Sequence, residues 1–125
     1  MVYIANIMRS LVCLDTDLVN EVRAKIKEFK EAGYKGIPVV YYHSSNLSDR
    51  ITSNPDHICG YGIEISDFGD IEMEIVNTTP GGRYIENYLL HPDVINDDKW
   101  KPFAISANCI RLPDGTRKVI NCILE

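Results

Sequence analysis

What this chain has little of narrows its function as much as what it has. No apolar run approaches the ~20 residues of a membrane-spanning helix, so no membrane partner is expected. The opening Met1-Val-Tyr-Ile-Ala-Asn6 lacks the basic and apolar regions of a secretory signal, and an intracellular protein is expected. Cysteine is sparse. Cys13, Cys59, Cys109 and Cys122 form no Cys-x-x-Cys pair, which leaves zinc and thioredoxin-type chemistry unsupported and favours buried, reduced thiols. Cations are outnumbered: 13 Lys and Arg stand against 18 Asp and Glu, a net charge of −5. A phosphate-backbone binder usually carries a basic surface, so duplex nucleic acid is not an expected partner. A small anion needs only a local group of arginines and stays open. Nucleophile–base motifs, metal-ligand spacing and a dinucleotide fingerprint are missing as well, and neither cofactor nor metal is expected. Asp67-Phe-Gly69 matches a kinase motif in letters alone.

What is there describes one domain over residues 1–125, with no repeat, linker or low-complexity run. The apolar stretch Val2–Leu14, with Arg9 inside it, suits one strand or a bent pair of short strands. Asp15 or Thr16 can cap the helix that follows, Asp17–Ala32, in which Leu18, Val19, Val22, Ile26 and Phe29 recur at helical spacing. Gly33 ends it. Ile37–His43 reads as a strand, and Ser44–Asp56 as a polar loop carrying Arg50. His57–Ile65 is a strand interrupted by Gly60 and Gly62, which mark a bulge or a close backbone approach. Ile71, Met73 and Ile75 alternate with Glu72 and Glu74 in a half-exposed strand hairpinned onto it. After Thr78-Thr-Pro-Gly-Gly-Arg83, a short helix runs near Tyr84–Leu90, with Ile85, Leu89 and Leu90 turned inward. The expected fold is α+β: an antiparallel sheet of about five or six strands, one long helix packed on it, a short second helix and a C-terminal hairpin.

That hairpin carries the sharpest signal. Two β-rich runs flank Pro113-Asp114-Gly115. Pro presets φ at the second position of a type I turn, and Gly accepts the left-handed conformation that follows. A three-residue loop sets Leu112 against Thr116 and Arg111 against Arg117. In the same unbroken register, Cys109 and Cys122 fall on opposite faces. Like charges facing each other across strands are destabilising, and an anion between Arg111 and Arg117 would relieve them. Other candidate anion holders are Arg83, at a glycine-rich helix start with outward N–H groups, Arg9 and Arg50. Tyr84, Tyr88, Trp100 and Phe103 offer faces for a base, and Asn87, Asn108 and Asn121 offer amides for its edge. The ligand-binding set is therefore Arg111, Arg117, Arg83, Tyr84, Asn87, Arg9 and Asn108, a nucleotide pocket without catalytic machinery.

Four stretches resemble the Thoeris anti-defence 1 family of phage proteins: Ile4-Ala-Asn-Ile-Met-Arg-Ser-Leu-Val12, Gly36-Ile-Pro-Val-Val-Tyr-Tyr-His43, Cys59-Gly-Tyr-Gly-Ile-Glu-Ile-Ser66 and Tyr88-Leu-Leu-His-Pro92. Size and element order agree over nearly the whole chain. The resemblance implies a sponge in the cytoplasm of an infected bacterium. Such a protein binds cyclic ADP-ribose isomers made by TIR-domain defence enzymes and withholds them uncleaved. It also implies a homodimer that can associate into a hexamer, and in some members a separate site for cyclic oligonucleotides. The ligand residues named above come from the residue reading and not from the family. Two alternatives stay open: a small nucleotide or ADP-ribose hydrolase using Glu64 or Glu74 with His43, and a protein-interaction module.

Overall fold

The computed structural model describes residues 2–7, 15–41, 55–90 and 105–124. Arg9, Cys13, His43, Arg50, His91, Trp100 and Phe103 lie outside the described residues. The elements in order are β1 (Val2–Asn6), α1 (Thr16–Glu31), β2 (Ile37–Tyr41), a 3-10 turn (Pro55–His57), β3 (Ile58–Ile65), β4 (Asp70–Ile75), α2 (Pro80–Leu89), β5 (Ile105–Arg111) and β6 (Arg117–Leu124). The class is α+β, with a six-stranded sheet in the order β1-β4-β3-β2-β6-β5. Four pairings are antiparallel. The fifth, β2 with β6, is parallel and joins the fourth and fifth strands of that order, so the sheet is mixed. β1 and β5, the two ends of the order, approach one another, and the sheet curls.

The helices form where the sequence supplies a stripe and a cap. Asp15 is the N-cap of α1 and accepts the Leu18 N–H at 3.0 Å. Val19, Val22 and Ile26 are buried, and Leu18 and Phe29 pack at the margin. α2 begins four residues earlier than expected. Thr79 is its N-cap, accepting the Gly82 N–H at 3.0 Å, and Pro80 fills the first turn, where its missing N–H costs nothing. Ile85 and Leu89 are buried, but Leu90, expected to point inward, is 51% exposed. It is the C-cap, past the last helical residue, and so off the inward stripe.

These helix residues and inward residues of all six strands form a single core cluster, including Ala5, Ile37, Met73, Ile105 and Leu124. Two bulges adjust β3. Its register with β2 shifts opposite Val39/Val40, and its register with β4 shifts between Gly62 and Glu64. The two glycines are places of close approach, as the sequence suggests. A Cβ on Gly60 would run into the Glu74 carbonyl, and one on Gly62 would sit 2.9 Å from the Ile37 Cγ2.

A third bulge changes the terminal hairpin. The loop pairs Leu112 with Thr116 and Arg111 with Arg117, as expected, and Gly115 takes φ +89°. Further along, the register shifts between Asn108 and Cys109, so Cys109 pairs with Val119 but Asn108 with Asn121. Ile120 is the extra residue. The interruption overturns the expectation that Cys109 and Cys122 face oppositely, since after it both fall on the helix side of the sheet. Cys59 and Cys122 are buried free thiols, while Cys109 is free but exposed.

Gly82 gives a direct test of the packing between α2 and β4. A Cβ there would land on the Val76 carbonyl carbon and oxygen, which are backbone and cannot move aside. Gly82→Ala is expected to lower stability by about 1–3 kcal/mol, the usual cost of overpacking. The midpoint of urea denaturation measures it, with the exposed Lys118→Ala as a near-neutral reference.

Candidate functional site

The structure distributes the candidate residues between two ends of the sheet. At one end is the hairpin tip. Arg117 is not available as half of an anion clamp. Its Nε donates to Glu21 Oε2 at 2.9 Å, and its Nη1 to Asp15 Oδ2 at 3.1 Å. Two carboxylates on the first turns of α1 thus neutralise it and tie the last hairpin to the first helix. Arg111, directly opposite, is exposed and donates from Nη1 to the Gly115 carbonyl at 3.3 Å. The like-charge pairing read from the register is real, but α1 resolves it without an external anion.

At the other end is α2. Tyr84 stacks on Tyr41 of β2, with ring centroids 5.5 Å apart and an interplanar angle of 19°. Burial, with Tyr84 beside it, raises the Tyr41 phenol above its ordinary value. Tyr84, Asn87 and Tyr88 are exposed, and Arg83 reaches the Asn77 carbonyl at 3.4 Å. Arg83 and Asn87 are four apart on the helix, as are Tyr84 and Tyr88, so all four share one outer surface. Much of the helix start is engaged within the chain. Pro80 has no N–H, Thr79 takes the Gly82 N–H through its side chain and the Arg83 N–H through its carbonyl. The Thr79 hydroxyl in turn donates to the Ile58 carbonyl. Gly81 and Gly82 are small because the 3-10 turn and Val76 press on them. They serve the packing of α2 against these neighbours.

The two groups do not meet within one chain. Tyr41 is in register with Leu124, and Arg117 lies about seven residues back along β6, roughly 20 Å at ~3.3 Å per residue. Asn108 is apart from both groups. Its Nδ2 donates to Asn121 Oδ1 at 2.9 Å across β5 and β6, and Asn121 is buried. That amide pair aligns the hairpin.

Two cavities are lined by none of these residues. One, of about 530 Å³, is polar, with Tyr34, Lys35, Tyr61, Glu74 and Glu86 in its wall. Lys35 Nζ and Glu74 are paired there at 3.0 Å. The other, of about 510 Å³, lies between α1 and β3. No residue of this second cavity is among the candidate ligand-binding residues read from the sequence. The signal that could have found it is the spacing of Arg23, Lys27 and Lys30, which puts three like charges along one helix edge. Among the described residues no group of three or more His, Cys, Asp or Glu is placed to hold a metal ion, and no helix is long and apolar enough to cross a membrane.

No protein-family model, no curated protein and no solved structure matches this chain.

The Arg117 contact makes a prediction in pH. The hydrogen bond from Arg117, and then that from the Leu18 N–H, hold the Asp15 carboxyl below its ordinary 3.8. A carboxylate with a lowered folded pKa contributes stability that is complete above its unfolded value. That stability is lost as the pH falls through the folded value. Arg117→Gln is therefore expected to lower the melting temperature near pH 6 and to flatten its fall below about pH 4, where Asp15 titrates. Calorimetric scans across that range give the comparison.

Proposed function

We propose that this protein binds a cyclic ADP-ribose-type nucleotide and withholds it without cleaving it. The observation that carries the reading is the outer surface of α2. There a guanidinium, a carboxamide and two phenol rings, Arg83, Asn87, Tyr84 and Tyr88, stand side by side, with Tyr84 backed by the Tyr41 ring. Each suits one part of such a ligand. Arginine forms paired hydrogen bonds to phosphate oxygens, an aromatic face stacks on a base, and an amide both donates to and accepts from a base edge. The stack on Tyr41 fixes the Tyr84 ring before a ligand arrives, which lowers the ordering cost of binding. The resemblance of the four sequence stretches to the Thoeris anti-defence 1 family supports the choice of ligand and the host cytoplasm as the setting.

Arg111 enters this reading from a second copy. It is exposed at the far end of the sheet from Arg83, so a pocket that uses both arginines draws them from two chains. A homodimer, or a hexamer built from dimers, then follows from the reading. Arg117 drops out as a ligand contact and acts through the hairpin it anchors.

Calorimetry with cyclic ADP-ribose isomers is expected to show saturable binding, and denaturation of the complex should release the ligand intact. Arg83→Ala and Tyr84→Ala, both on the exposed face of α2, are each expected to weaken binding at least about tenfold, the loss of one charge-assisted or stacking contact. No binding, or a cleaved product, would sink the proposal, and cleavage would favour the hydrolase.

A further inference from the structure

The cavity between α1 and β3 belongs to neither end of the sheet, and its construction points to a ligand of a different kind. Its floor is apolar: Ile26 of α1 and Ile65 of β3 are buried, and Ile63 is half-buried beside them. Ile63 is there because of the bulge. The register with β4 passes from Gly62 to Glu64 and skips it, and an unpaired bulge residue is free to be re-aimed. Here it turns toward α1 and lines the cleft.

The helix wall is cationic. Arg23, Lys27 and Lys30 are spaced i, i+4 and i+7 and run along one edge of α1. Like charges at that spacing repel and weaken a helix. Arg23 is already engaged, by Asp67 at 2.8 Å and by the Ile65 carbonyl at 3.1 Å. Lys27 and Lys30 have no ion pair or side-chain hydrogen bond among the described residues. Glu31 closes one end of the cleft and Glu64 stands on the strand side. Glu31 follows Lys27 by four residues and so lies on the lysines' own side of α1, where it offsets part of their charge. The span of α1 that lines the cleft, Arg23 to Glu31, is about 12 Å long at ~1.5 Å per residue.

We infer that this cleft binds a small amphipathic anion, a carboxylate on an apolar chain of medium length. The chain lies on Ile26, Ile63 and Ile65, and the carboxylate reaches Lys27 and Lys30. A volume of about 510 Å³ is in the usual ligand range of ~300–1,000 Å³, and an apolar floor with a few convergent polar groups is the common construction of such sites. The inference does not rest on the nucleotide reading, since it uses none of the same residues.

Dansylundecanoic acid, with decanoate as competitor, tests it in the intact chain. Fluorescence titration is expected to show saturable one-to-one binding that decanoate displaces. Lys27→Gln with Lys30→Gln should raise Kd about tenfold or more, while Glu64→Gln should leave it unchanged or lower it. The methyl ester of the probe, which has no carboxylate, should bind about tenfold more weakly than the acid. Both lysines are exposed, so the double variant is expected to fold, and its circular dichroism checks that. Unsaturable binding, equal binding of acid and ester, or a Kd that ignores the lysine substitutions would overturn the inference. Binding of cyclic ADP-ribose isomers to the same double variant separates the two readings, because it should be unaffected.

Discussion

A single guanidinium ties the first helix to the last strand. Arg117 opens β6, and its two carboxylate partners, Glu21 and Asp15, lie 96 and 102 positions away. Asp15 does two things at once: its Oδ1 caps α1 through the Leu18 N–H, and both of its oxygens accept from Arg117. The start of the long helix and the start of the last strand are therefore fixed by the same side chain. Because β6 pairs with β2 on one side and β5 on the other, that anchor also places the strand that joins the terminal hairpin to the rest of the sheet. The ion pairs are partly exposed, and their contribution is one of position more than of bulk stability. The stability comes from the common core beneath them.

Local rules made much of this fold legible. The Pro113-Asp114-Gly115 loop, the Arg111/Arg117 register, the stripe and stop of α1 and the alternation of β4 all depend on neighbours within a few residues, and the structure has them. What stayed hidden is what depends on distant residues or on a single insertion. Nothing near Ile120 announces a bulge, yet that one residue reverses which way Cys109 faces relative to Cys122. Nothing in Ile37–Tyr41 announces a parallel partner. Thr79-Pro80 carries a cap-and-first-turn signal that starts the helix at Pro80, ahead of the glycines and not after them. The carbonyls pressing on Gly81 and Gly82 belong to other elements and leave no local trace.

The candidate site divides along the same line. Residue type identified arginines and aromatic rings, and one local group of them, on α2, is indeed side by side because the residues are one helical turn apart. The pairing of that group with the hairpin arginines needed three-dimensional proximity, which the sheet denies to a single chain. The opposed arginines looked like an unfinished charge balance. The balancing charges were present, on a helix whose distance in sequence hid them.

The parallel pairing of β2 and β6 has a consequence for how the molecule forms. Val39 and Cys122 are neighbours in the sheet but are separated by most of the described chain. Contacts of such sequence separation require a large loop to close before they repay it, and they slow folding. Until β6 arrives, β2 has an open edge and the inner residues Val39 and Tyr41 lack the Cys122 and Leu124 beside them. The β2–β6 seam therefore depends on closing a large loop, and completing the sheet on that side waits on the C-terminal strand.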